Sequence, residues 1–95
     1  MKISEELKRE LVNKVLGFSD IVKVYVFEDK KLINFYAIRN QSSTYKDLIK
    51  FVSETTDMEM EHEELPLYFL PFAAKQESSV LKDLKDLGVY YEVYE

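Results

Sequence analysis

The chain contains no cysteine, which excludes disulfides, thiolate metal sites and a cysteine nucleophile together. Glycine is nearly as scarce. Its two copies, Gly17 and Gly88, each close a helical pattern, so none is left to build a phosphate-cradling loop. His62 is the single histidine, and any imidazole chemistry would depend on it alone. Long apolar runs are missing as well. The longest, Leu65 to Ala74, carries both prolines and falls short of the ~20 residues that a bilayer span needs. Glu5 and Glu6 stand where a signal peptide requires an apolar core. The expectation is a cytoplasmic protein without a membrane partner and without a cofactor.

What is present is aromatic and charged. Seven Tyr and six Phe are spread through 95 residues, a length that suits one domain, 1–95, and leaves no room for two cores. Eighteen acids face 13 bases, but five of the acids fall in Asp57 to Glu64, and without them the chain is balanced. The excess negative charge is therefore local. This balance argues against a grip on nucleic-acid phosphates, although Lys30, Lys31, Arg39, Lys46 and Lys50 form a basic group in the sequence.

Ile3, Leu7, Leu11, Val12, Val15 and Leu16 recur at helical spacing, with Ser4 as N-cap and Gly17 expected to supply a left-handed stop. Ile21–Phe27 and Leu32–Ile38 are β-branched and aromatic, and the polar Glu28–Lys31 between them reads as a hairpin connection. Both strands carry bulky residues on both faces, which places them centrally in a sheet. Thr44 with Asp47 resembles a capping box, opening a helix through Tyr45, Leu48, Ile49 and Val52 that is expected to end near Glu54. Met58, Met60 and His62 alternate with Glu59, Glu61 and Glu63, which suggests a half-exposed strand. Leu65–Phe72 is extended, and Pro66 and Pro71, which cannot donate to a ladder, place it at an edge or in a covering loop. A last helix, starting at Phe72 or at the Ser78-Ser79 pair, carries Val80, Leu81, Leu84 and Leu87 on one face and stops at Gly88, followed by a strand over Val89–Tyr94. The fold class is α+β. A small mixed sheet of four to five strands carries about three helices, in the order α-β-β-α-β-(β)-α-β.

No catalytic constellation emerges. His62 among Glu59, Glu61, Glu63 and Glu64 could suggest a carboxylate–histidine metal site or a tuned base. Strand alternation, however, puts Glu61 and Glu63 on the face opposite His62, so the group reads as a solvated strand with no metal. Ser42, Ser43, Thr44, Ser53, Ser78 and Ser79 lack a Gly-x-Ser-x-Gly setting and read as caps and turns. Glu28 and Asp29 sit in a solvated turn, where Asp is a common turn former. The reading is of a non-enzymatic chain.

The tyrosines carry more information. Consecutive Tyr90 and Tyr91 must point to opposite faces of a strand, and Tyr90, Tyr91 and Tyr94 cannot all share the face of Val89 and Val93. Together with Tyr68 and Phe69 on the proline-flanked segment, they define a candidate interface. The expected partner is another protein or a second copy of the chain.

The strands VKVYVF (Val22–Phe27) and NFYAI (Asn34–Ile38), the helix YKDLIKFV (Tyr45–Val52), the stretch ending LPF (Leu70–Phe72) and the closing LGVYYEVYE (Leu87–Glu95) follow an order that resembles the minimal nucleotidyltransferase fold, including its small antitoxin-type members. That family has a Gly-Ser pair after the first strand, where this chain has Glu28-Asp29. It has an Asp-x-Asp pair on the next strand, where Leu32 and Asn34 stand. The resemblance therefore implies a catalytically inactive relative that keeps a ligand or partner surface, and it carries over no site residue. The reading taken forward is a non-enzymatic interaction or self-associating module, with the inactive nucleotidyltransferase-like protein as the alternative.

Overall fold

The computed structural model describes residues 3–95. β1 (Ile21–Asp29) and β2 (Leu32–Arg39) pair antiparallel up to Asp29 opposite Leu32, so the turn is Lys30-Lys31 alone. Both lysines have positive φ, 53° and 67°, which aligns a two-residue turn with the twist of its strands. The connection is shorter than Glu28–Lys31 because Glu28 and Asp29 find ladder partners in Ile33 and Leu32.

β3 (Leu67–Ala73) lies parallel to β2, and β4 (Tyr91–Tyr94) lies antiparallel to β1, giving the sheet order β3-β2-β1-β4. The hairpin strands are central, as the sequence pattern predicts, and of the two places open to the proline-bearing segment, an edge or a covering loop, β3 takes the edge. α1 (Glu5–Leu16) and α2 (Tyr45–Glu61) cover one face, where Leu11, Val12, Val15, Phe51 and Met58 meet Val24, Val26, Ile33, Phe35 and Phe69. α3 (Glu77–Leu87) covers the other face with Val80 and Leu84, against Tyr25, Phe27 and Ile38. An aromatic layer crosses that second face. Tyr91 meets Tyr25 edge-on at 5.7 Å, and Tyr36 joins Phe27 at 4.8 Å to Phe72 at 4.9 Å. The molecule is an α+β fold of three layers with four strands.

Several boundaries differ from the sequence reading, each for a local reason. α2 does not end near Glu54. It continues to Glu61, because Phe51, Thr55 and Met58 form one buried stripe at helical spacing. The alternation of Met58, Met60 and His62 therefore belongs to a helix and not to a strand, and His62 is the C-cap. This removes the optional fifth strand. Thr44 and Asp47 do form the reciprocal capping box, at 2.9 and 3.2 Å. Gly17 is right-handed at φ −71°, whereas Gly88 has the left-handed φ of 70° that ends α3. α3 begins at Glu77 after a short 3-10 turn, Ala74–Gln76, and Val89 and Tyr90 precede β4 instead of joining it. Among the described residues no helix is long and apolar enough to cross a membrane.

Candidate interaction surface

The five aromatic residues singled out from the sequence do not share one patch. Phe69 is in the core, stacked on Phe35 at 4.7 Å. Tyr91 packs into the α3 side of the sheet and Tyr94 into the α1 side. The Tyr94 hydroxyl donates to Glu92 at 2.7 Å, and Glu92 in turn binds the buried Lys8 of α1. The second face of the last strand thus finds cover within the chain. Tyr90 is 84% exposed and Tyr68 is 40% exposed, on segments at opposite edges of the sheet.

Ion pairs fasten the helices to the sheet. Burial alone would lower the Lys8 ammonium, but hydrogen bonds to Glu5 and Glu92 outweigh it and hold the group above its ordinary range. Lys8 and Tyr94 keep the Glu92 carboxyl low. On the opposite face, Glu77 in the first turn of α3 accepts hydrogen bonds from Lys23 at 2.8 Å and from the Tyr25 hydroxyl. Lys23 first, and then Tyr25, hold Glu77 below the ordinary glutamate value. These groups are structural fasteners, each occupied by a partner.

The remaining polar candidates are dispersed. His62 Nδ1 lies 3.9 Å from Glu64, and among the described residues no three His, Asp or Glu side chains converge on one point. Glu59 turns toward β3, where the Phe69 amide reaches it, and burial pushes its carboxyl up. Ser4 and Thr44 cap helices, and Ser43 bridges Arg39 at 2.9 Å and the buried Asp20. Arg39 is thereby engaged, and it sits at the far end of β2 from Lys30 and Lys31, so the five basic residues form no single patch. Of the two positions where the nucleotidyltransferase resemblance looks for acids, Leu32 is partly exposed. Asn34 is buried, its amide donating to the Phe27 and Leu32 carbonyls at 3.4 and 3.3 Å.

The sequence reading missed the outward face of α2. Tyr45, Ile49, Val52, Thr56 and Met60 follow one another at steps of four, three, four and four, which keeps them on one side of a helix. Tyr45 is 75% exposed, Ile49 50%, Val52 49% and Met60 70%. The spacing was visible as far as Val52. Ending the helix near Glu54 hid Thr56 and Met60, and with them the length of the stripe. α2 is also polarised, with Lys46, Asp47 and Lys50 in its first half, Glu54, Asp57, Glu59 and Glu61 in its second, and no base in its last turn. Acids at a helix C-terminus oppose the helix dipole, and within α2 the exposed Lys50–Glu54 contact at 3.9 Å offsets this only in part.

Comparison with known protein families, with curated proteins and with solved structures finds no match for this chain.

Proposed function

We propose that the protein is a non-catalytic interaction module that docks another polypeptide on the outward face of α2. One contrast carries the reading. α1 and α2 lie on the same side of the same sheet, yet α1 turns Glu6, Arg9, Glu10 and Asn13 to solvent, while α2 turns out Tyr45, Ile49, Val52 and Met60. Single exposed apolar residues are ordinary on any surface. Four large ones aligned along a 17-residue helix, interrupted by Thr56, make a strip of the kind that partner helices recognise. The C-terminal tyrosines support the same function less directly, since Tyr91 and Tyr94 already pack within the chain and only Tyr90 is fully presented.

A photo-crosslinking residue at Ile49, introduced into the protein in its native cells, tests this reading. The expected result is a discrete protein adduct at Ile49 and none when the same residue is placed at Glu10 on α1. Equal, diffuse labelling at both positions would show that the α2 face is simply solvated and would end the proposal.

A further inference from the structure

We infer that the partner on the α2 face is a second copy of this chain, its α2 running antiparallel across a two-fold axis near Val52 and Ser53. The inference rests on the reading that this face is a docking surface, and it adds what docks there and in which direction.

The stripe is nearly symmetric about its own midpoint. When a second α2 is laid antiparallel on the first, Tyr45 of one copy falls opposite Met60 of the other, and Ile49 opposite Thr56. A tyrosine ring against a thioether is a favourable contact. A two-fold interface must be self-complementary, and the positions of this stripe repeat about its midpoint, with Thr56 of one copy set against Ile49 of the other.

Charge decides the direction. Lys46, Lys50, Asp57 and Glu61 are separated by four, seven and four residues, so all four share one flank of the helix beside the apolar stripe. In an antiparallel pair this flank faces the same flank of the other copy. Lys46 of one chain then lies between Asp57 and Glu61 of the second, and Lys50 lies beside that Asp57. The contacts repeat across the axis. A parallel pair would place Lys46 and Lys50 of both copies together at one end and Asp57 and Glu61 of both copies together at the other. Among the described residues Lys46, Asp57 and Glu61 enter no ion pair, and Lys50 reaches only Glu54 at 3.9 Å with both side chains well exposed. The charges are free to pair between chains. Lysines from the second copy would also supply the positive charge that the C-terminal half of α2 lacks.

The helix is roughly 26 Å long, so a contact along it stays at or below the roughly 800 Å² per partner of a standard interface. With no large aromatic anchor seated in a pocket and with its ion pairs exposed, the pair is weak, with a Kd on the order of 10 µM to 1 mM.

Sedimentation equilibrium over a concentration series of the full chain tests the pairing. The expected mass rises from monomer toward dimer, and Ile49→Glu with Val52→Glu weakens the association at least tenfold while circular dichroism stays unchanged. Because the chain has no cysteine, direction can be read by disulfide trapping. Mixed Tyr45→Cys and Met60→Cys proteins should cross-link to each other faster than either does to itself. Faster Tyr45→Cys self-cross-linking would overturn the antiparallel arrangement. A monomer at every concentration up to several millimolar would overturn the inference altogether. If Ile49 then still photo-crosslinks to a different protein in cells, the docking reading survives without self-pairing; if it does not, both fall.

Discussion

Lys30 and Lys31 occupy backbone positions that cost most residues energy, since a side chain at positive φ crowds its own carbonyl. The cost is tolerated because the turn sets the register of the two central strands, and every pair from Asp29–Leu32 to Lys23–Ile38 depends on it. Replacing the pair by Asn-Gly removes that strain. The expected gain is about 1 kcal/mol, read as a higher urea midpoint at unchanged slope. A lower midpoint would mean that the lysine side chains themselves stabilise the turn. Neither lysine suggests a left-handed residue from its type, so the hairpin was legible in the flanking apolar runs while its length was not. The tyrosines show the same limit. Alternation assigns Tyr91 and Tyr94 to opposite faces correctly, but it cannot say that Tyr25 awaits one of them and α1 the other.

At the scale of elements, α3 depends on the fewest contacts. It brings Val80 and Leu84 to the sheet and is fastened at its first turn through Glu77. The Glu77 carboxyl is held below its ordinary value of 4.5, so its contribution is present above that pH and is lost as the pH falls through the lower folded value. At the alkaline end, the hydrogen bond to Glu77 pushes Lys23 up to about 12, and burial with the same partner takes Tyr25 to about 12. Their contributions persist up to the ordinary values of 10.5 and 10.0 and disappear as the pH rises through 12. Glu77→Gln should therefore cost about 1–2 kcal/mol near pH 7, with the deficit shrinking toward pH 3 and toward pH 12. Denaturant unfolding across that range measures it, and a deficit independent of pH would assign Glu77 to packing alone. The boundaries of α2 show why part of the architecture stayed hidden. Acids at every second position from Glu59 to Glu63 fit a strand's period, yet Phe51, Thr55 and Met58 continue a helix beneath them. Burial on a neighbouring sheet decided between two periods that the residues alone left balanced.

On the scale of the whole molecule, the class, the central hairpin and the confinement of β3 to an edge or a covering loop were all legible, because each follows from apolar patterning and from what proline cannot donate. The candidate surface was not, since it depends on which side of α2 the sheet takes. Once Phe51, Thr55 and Met58 face inward, Tyr45 and Met60 turn most of their surface, and Ile49 and Val52 about half of theirs, to solvent or to another molecule. A small domain whose own core is limited gains stability from such a meeting, and the gain follows mass action. The melting temperature of the full chain, recorded over a hundredfold range of protein concentration that reaches several millimolar, tests this most directly. If α2 pairs with a second copy, the wild-type value rises by several degrees (roughly 2–5 °C) across that range, while Ile49→Glu with Val52→Glu melts at one temperature throughout. A wild-type melting temperature that does not move with concentration would contradict the account.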